Sequence, residues 1–108
     1  MAPQEEIEGV VVHLRAMFSS WPGVKESKQW GLVAFLRDSK PFLLCKDNSI
    51  VLNCLHKQRF DAAVTKHQGV EFSYKGKVRE FWCEIPASSS SDIRSILYLI
   101  REVTDSLH

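Results

Sequence analysis

The sequence lacks the features that would tie it to a membrane or to a strongly charged partner. No stretch approaches the ~20 apolar residues that a membrane helix needs, and the longest apolar runs, such as 31–36, have the length of a strand. The formal net charge is only +1, which argues against tight nucleic-acid binding by the domain as a whole. The N-terminal residues are acidic and polar rather than basic, so no signal peptide is predicted and we expect a cytoplasmic protein.

Cysteine is scarce and unpaired in the sequence. Cys45, Cys54 and Cys83 form no C-x-x-C motif and lie within apolar runs, which favours reduced, buried thiols. A disulfide between Cys45 and Cys54 stays open as an alternative if their strands are neighbours. Zinc sites normally take four ligands at recognisable spacing, and Cys54 with His56 is the only close Cys/His pair. We therefore predict no metal and no cofactor.

Motifs of catalysis are also missing. The sequence contains neither a G-x-x-x-x-G-K nor a G-x-G-x-x-G phosphate-binding loop. A nucleophilic thiol needs a base within reach, and Cys54 with His56 could provide one, although a cysteine at a strand end more often packs in the core. The sequence therefore predicts that the protein is not an enzyme.

The pattern of apolar residues predicts one domain, 1–108, with helices at intervals between short strands. Apolar residues at i, i+3, i+4 spacing mark the helices, and short apolar runs between polar turns mark the strands. The predicted helices are 5–20, 56–68 and 92–107, and the predicted strands are 29–37, 41–46, 49–54, 70–74 and 78–85. The order α-β-β-β-α-β-β-α favours an α+β fold with a mainly antiparallel five-stranded sheet and three helices. Ser89 and Asp92 resemble a capping box, and Gly69 stands where a helix C-cap glycine belongs.

Basic and aromatic residues alternate in the predicted hairpin EFSYKGKVREFWCEIP, residues 71–86. Residues 56–79 carry six Lys or Arg against two acidic residues, a charge excess that could face an anion. The candidate nucleic-acid-binding residues are Lys57, Arg59, Lys75, Lys77 and Arg79. The alternative is a solvated turn and helix face, because lysines at hairpin tips commonly keep sheet edges soluble.

Trp30 and Trp82 are the candidates for a contact with a partner protein. Strand alternation places Trp82 on the face opposite to Phe81, between Glu80 and Glu84. These glutamates would repel phosphate, which disfavours base stacking on Trp82. A shared aromatic patch of Trp30 and Trp82 would suit a protein partner. The alternative is that both tryptophans fill the core.

Several segments resemble the TfoX N-terminal domain and the related MmcQ/YjbR-like proteins, over roughly residues 18–107. The matching residues are Pro22-Gly23-Val24, Asp38-Ser39-Lys40-Pro41-Phe42, Ile50-Val51-Leu52-Asn53, and Phe72, Tyr74, Lys75, Gly76, Lys77, Trp82 and Pro86. The sequence departs from the family at Gln29-Trp30-Gly31-Leu32, where the family has Met-Phe-Gly-Gly, at Ser39, which replaces a turn glycine, and at Asn53, which replaces a lysine. The resemblance implies a non-enzymatic intracellular module in a regulatory role, with DNA as a candidate partner and no catalytic residues.

Three functions therefore remain in order of preference. The first is an intracellular regulatory or adaptor module that binds a protein partner through Trp30 and Trp82. The second is weak nucleic-acid binding through the basic hairpin and helix. The third is a small-ligand pocket between the sheet and the helices.

Overall fold

The computed structural model describes residues 9–46 and 48–107. The helices are α1 (Gly9–Phe18), α2 (Lys57–His67), α3 (Ser90–Ser95) and α4 (Leu97–Ser106). The strands are β1 (Val24–Gln29), β2 (Leu32–Arg37), β3 (Lys40–Cys45), β4 (Ser49–Asn53), β5 (Val70–Tyr74) and β6 (Lys77–Pro86). The predicted first turn of the first helix, 5–8, and Asp47 of a predicted turn lie outside the described residues.

The strands form one sheet in the order β1-β2-β3-β4-β6-β5, and every neighbouring pair is antiparallel. Three of the connections are two-residue turns, at Trp30–Gly31, Asp38–Ser39 and Lys75–Gly76, and both residues of each turn have a positive φ. Turns of this kind match the right-handed twist of the strands that they join. The α+β class and the antiparallel sheet predicted from the sequence are therefore confirmed.

The predicted numbers of five strands and three helices are wrong, since the described residues form six strands and four helices. β1 was missed because Val24 is the only apolar residue of VKESKQ, an edge strand with an exposed middle. The predicted strand 29–37 begins too early, since Trp30–Gly31 is the turn that separates β1 from β2. The predicted helix 92–107 is two helices, because the chain leaves helical geometry at Ile96 (φ −111°, ψ 8°). The apolar spacing continues through this break, so the sequence pattern does not reveal it.

Helix caps were predicted with mixed success. Ser89 caps α3, because its hydroxyl accepts a hydrogen bond from the backbone N–H of Asp92 at 3.2 Å. The residue in the left-handed conformation after α2 is Gln68 (φ 59°), not Gly69. Gly69 is needed for another reason, since a Cβ there would lie 2.3 Å from the Cys83 sulfur.

The main core lies between the helices and one face of the sheet. The helices supply Val10, Leu14, Phe18, Ala63, Ile93, Ile100 and Val103, and the strands supply Phe35, Phe42, Leu43, Ile50, Leu52, Cys83 and Ile85, all buried. An ion pair between Arg15 and Glu26, with two N–O distances of 2.8 Å, also joins α1 to β1. Hydrogen bonding from Arg15 lowers the pKa of the Glu26 carboxyl.

The opposite face of the sheet carries a second, smaller core. Ala34 pairs with Leu44, and Leu44 pairs with Val51. Along the strands these residues alternate with residues of the main core, so their side chains lie on the opposite face. These three residues and Phe72 are buried, and every member of their cluster comes from a strand or a turn. None of the four described helices contributes to it. We call this surface the concave face.

The curvature of the sheet explains how the concave face is closed. β2 and β5 are four strand spacings apart in the sheet order, which is roughly 19 Å in a flat sheet. The Trp30 ring, in the turn before β2, nevertheless lies 5.8 Å from the Phe72 ring on β5. The sheet must therefore curl until its two ends approach each other, with Trp30 spanning the gap.

Candidate functional site: an aromatic–arginine cluster

Trp30 is the centre of the site and has an unusual backbone. Its φ of 54° lies in the left-handed region, where a bulky side chain is a genuine outlier. Its ring stacks on Phe72 at 5.8 Å and Tyr74 at 5.6 Å, and meets Trp82 edge to face at 5.4 Å. Aromatic pairs at these distances each contribute about 0.5–1.5 kcal/mol beyond area burial. The ring contacts therefore offset the cost of the backbone conformation.

Strand geometry presents the partner rings to Trp30. Phe72 and Tyr74 are two residues apart on β5 and share a face. On β6, Trp82 pairs with Asn53 of β4. Its neighbour Cys83 faces the helices, so Trp82 faces the opposite side of the sheet. Glu71 and Ser73 are two residues apart on β5, but their pairing partners on β6, Cys83 and Val78, are five residues apart. The extra β6 residues form a bulge, in which Phe81 has a φ of 67°. Bulges commonly re-aim side chains at functional sites.

Arg79, at the bulge, adds a cation to the rings. Its guanidinium carbon lies 4.9 Å from the Trp30 centroid and 5.7 Å from the Tyr74 centroid. Its Nη2 donates a long hydrogen bond of 3.4 Å to the Tyr74 carbonyl, while its Nε is buried without a partner in the described part of the chain. The Lys75 ammonium lies 5.6 Å from the Tyr74 centroid. We call Trp30, Phe72, Tyr74, Arg79 and Trp82 the aromatic–arginine cluster.

The structure brings together some of the predicted site residues and separates others. Lys75, Lys77 and Arg79 lie on one hairpin beside Trp30 and Trp82, both half-buried. Lys75 and Lys77 are exposed, and neither forms an ion pair with a residue in 9–46 or 48–107. Trp30 and Trp82 are in contact, as the aromatic-patch hypothesis expected, but they also cover the second core.

The two basic residues predicted on the helix have other partners. Lys57 is 79% exposed and pairs with Asp61 at 2.8 Å, one turn along α2. Arg59 is only 11% exposed: its Nε lies 3.2 Å from Glu102, and its Nη1 donates to the Cys54 carbonyl at 2.9 Å. Arg59 is therefore mostly buried in contacts with α4 and with the end of β4, whereas Lys57 is exposed.

A cleft of about 530 Å³ extends the concave face, and the sequence did not predict it. Leu32, Val70 and Pro86 line it together with a polar group of three residues. In that group the Glu84 carboxylate accepts hydrogen bonds from the Ser49 hydroxyl at 2.9 Å and the Lys46 ammonium at 3.2 Å. Ser49 lies on β4, Glu84 on β6 and Lys46 directly after β3, so the pairing of the strands brings the three residues together.

The cysteine thiols are poorly suited to nucleophilic chemistry. Burial raises the pKa of Cys45 and of Cys54 to about 12 and that of Cys83 to about 11, so each thiol is protonated at neutral pH. Cys54 and His56 have separate partners: the Cys54 thiol donates to the Leu52 carbonyl at 3.7 Å, and His56 Nδ1 accepts the Arg59 backbone N–H at 3.3 Å and caps α2. All three cysteines are free, and the described chain groups no three His, Cys, Asp or Glu side chains that could hold a metal ion.

Comparison with protein-family models, with curated proteins and with solved structures finds no match for this chain. Among the described helices, none has the length and apolar character of a transmembrane span.

Proposed function

We propose that this chain is a non-catalytic binding module that engages a protein partner through the aromatic–arginine cluster. The observation that carries the proposal is Trp30, a bulky residue at φ 54° in a two-residue turn, whose ring contacts three other aromatic rings and is only half-buried. Strained residues that the surrounding structure holds in place are concentrated at functional sites. Trp30 and its partners therefore mark the surface on which a contact is expected.

The chemistry of the cluster fits a protein surface. Tryptophan, tyrosine and arginine are the residues that dominate binding energy at protein interfaces, where they lie in partly desolvated positions. Here Trp30, Tyr74, Arg79 and Trp82 are all half-buried and in contact. Their positions are fixed before binding, so these side chains would lose little conformational entropy when a partner binds.

The experiment compares captured proteins between a cluster variant and a matched aromatic control. Tagged wild type, Trp82→Ala and Tyr98→Ala are used for affinity capture from a lysate, and captured proteins are quantified by mass spectrometry. Tyr98 is an exposed aromatic residue on α4, away from the concave face. We expect a protein that Trp82→Ala loses and Tyr98→Ala retains, and then direct binding of the purified pair with the same ranking.

Folding controls make this result interpretable. Circular dichroism must show that Trp82→Ala keeps the wild-type fold at the temperature of capture. If the folded Trp82→Ala variant captures the same proteins in the same amounts as wild type, then the cluster is not the binding surface.

The proposal includes an intracellular setting and a relationship to the TfoX/MmcQ–YjbR-like group. Three free, buried thiols fit a reducing compartment, and their raised pKa values support a non-catalytic role. The relationship rests on the sequence motifs around 22–24, 38–42, 50–53 and 72–86, together with an antiparallel α+β fold.

Nucleic acid is the second candidate partner, favoured by one observation. Lys75 and Lys77 lie exposed at a hairpin tip, beside rings on which bases could stack. Amide NMR titration with short duplex DNA and RNA at low and near-physiological salt tests this candidate. Binding by phosphate contacts would shift residues 75–79 and fade steeply with salt.

A charge-matched control distinguishes binding by this hairpin from nonspecific electrostatic attraction to the whole protein. Lys75→Glu/Lys77→Glu should abolish the shifts, whereas Lys25→Glu/Lys40→Glu, on β1 and at the start of β3, should leave them unchanged. The absence of shifts even at low salt would rule nucleic acid out and leave the protein partner.

A further inference from the structure

Two arginines of similar burial differ sharply in their contacts. Arg59 is 11% exposed, and its guanidinium is held by Glu102 and by the Cys54 carbonyl. Arg37 is 13% exposed, yet its nearest carboxylate, on Asp38, lies 3.8 Å away. Its side chain makes no hydrogen bond within the part of the chain that the structure describes. A guanidinium presents five N–H donors, and removing them from water is costly without new partners. Arg37 is therefore a mostly buried cation whose donors make no hydrogen bond to the described residues and keep contact with solvent, so they are available to a ligand.

Arg37 lines a cleft that contains a second arginine. The cleft, of about 360 Å³, lies between the turn after α1 and the helix α4. The Arg101 guanidinium carbon is 4.7 Å from the Trp21 ring centroid. Stacking on an aromatic face positions a guanidinium while leaving its edge donors available. The lining residues are Ser20, Trp21, Pro22, Arg37, Arg101, Thr104 and Asp105.

The remaining polar groups of the cleft leave it suited to an anion. Asp105 is the only carboxylate among the lining residues, and outside the lining the Asp38 carboxylate lies 3.8 Å from the Nε of Arg37. The Thr104 hydroxyl is occupied, because it donates to the Arg101 carbonyl at 3.0 Å. Ser20 is exposed at the rim, and its hydroxyl has no hydrogen bond to any residue in 9–46 or 48–107. Ser20 can therefore donate to a ligand.

We propose that this cleft binds the phosphate group of a small phosphate monoester. Arg37 and Arg101 donate to the phosphate oxygens, Ser20 adds a donor at the rim, and the organic part of the ester lies against Trp21 and Pro22. The planar forks of the two guanidinium groups suit the oxygens of a phosphate. The site is separate from the aromatic–arginine cluster, because Arg37 is the last residue of β2 and Trp30 lies in the turn before the first.

The test is an amide NMR titration with phenyl phosphate at constant ionic strength, with inorganic phosphate and benzoate in parallel. We expect saturable shifts at 20–23, 37 and 101–105 for phenyl phosphate, and weaker binding of benzoate. Arg101→Gln should weaken binding roughly tenfold or more, since it removes a charge-assisted contact. Asp105→Asn should tighten binding. Lys40→Gln removes an exposed charge near Arg37 but outside the cleft, and should leave the affinity unchanged.

A second variant guards against loss of the fold. Arg37→Lys keeps the charge and removes the fork, and should weaken phosphate binding while circular dichroism remains native. If Arg37→Lys unfolds, the test rests on Arg101→Gln, because Arg101 is exposed and its substitution should leave the fold intact. The proposal is overturned by the absence of saturable shifts, by equal weakening in Lys40→Gln and Arg101→Gln, or by benzoate binding as tightly as phenyl phosphate.

Discussion

Trp30 sits in a backbone conformation that most residues avoid, and its ring contacts determine whether that conformation persists. Two effects therefore oppose each other in one residue. The left-handed φ costs about 1 kcal/mol or more for a non-glycine residue, whereas burial of the ring against Phe72, Tyr74 and Trp82 stabilises the fold. Substitutions that remove the ring but differ in backbone preference separate these effects.

Trp30→Ala and Trp30→Asn should both destabilise the protein, by about 2–3 kcal/mol for the loss of a half-buried ring. Trp30→Asn should be the more stable of the two by about 1 kcal/mol, because asparagine tolerates the left-handed region and Asn-Gly is a favoured hairpin turn. Urea unfolding measures both values. The pair Asp38→Ala and Asp38→Asn, at φ 52° in the next turn, gives the backbone effect without a large ring. Equal stability of the two Trp30 variants would contradict the strain argument.

The buried thiols make stability depend on alkaline pH. Burial raises the pKa of Cys54 to about 12 and that of Cys83 to about 11, while an unperturbed thiol has a pKa of 9.0. The unfolded chain thus releases these protons first as pH rises, so the free energy of unfolding should be unaffected below pH 9 and fall above it. The limiting slope is about 1.4 kcal/mol per pH unit for each thiol.

Urea unfolding between pH 7 and pH 10.5 measures this slope. Cys83→Ala should show a shallower decline than wild type, because one titrating group has been removed. The comparison cancels the titration of lysines and tyrosines, which both proteins share. Identical slopes would mean that Cys83 ionises equally easily in the folded and unfolded states.

At the scale of elements, Gly69 sets how closely the end of α2 approaches β6. Its backbone is ordinary, but a Cβ would lie 2.3 Å from the Cys83 sulfur and 3.1 Å from the Ala63 carbonyl oxygen. Gly76 presents the opposite case, with a φ of 74° and open space around its Cβ position. These two glycines therefore separate steric crowding from backbone strain.

Gly69→Ala should destabilise the protein by about 2–4 kcal/mol through overpacking, and Gly76→Ala by about 1 kcal/mol through strain. Thermal or urea unfolding provides both values. In Gly69→Ala/Cys83→Ala the sulfur is gone, so the double variant should lose less stability than the sum of the single variants. If the losses of stability in the two single variants add exactly in the double variant, then the crowding does not involve the Cys83 sulfur.

The elements that sequence reasoning found and missed differ in how much apolar surface they bury. α1, β3, β4 and β6 each bury several apolar side chains, α2 fully buries Ala63 and β5 buries Phe72, and all six elements were predicted within a few residues. β1 holds its place by backbone pairing with β2, and only Val24 gives it an apolar signal. Side-chain periodicity cannot report an element that is fixed chiefly by main-chain hydrogen bonds.

At the scale of the whole molecule, the candidate site depends on the curl of the sheet. The sequence nominated Trp30, Lys75, Lys77, Arg79 and Trp82 separately, but it could not join Trp30 to a hairpin more than forty residues away. It also assigned Arg59 to the same surface, because the Glu102 partner that holds it lies on a distant helix. Local patterns identify unusual residues, whereas their assembly is set by the register and curvature of six strands.

The closure of the curled sheet by Trp30 has a consequence for the lifetime of the fold. The two hairpins that it joins can form locally within microseconds, but the ring contacts between them require the intervening strands to be in place. These contacts should therefore form after the folding transition state, so that Trp30→Ala accelerates unfolding and leaves the folding rate nearly unchanged. Stopped-flow fluorescence of the remaining tryptophans, Trp21 and Trp82, measures both rates. A single indole ring would then govern how long each folded molecule survives, rather than how quickly it forms.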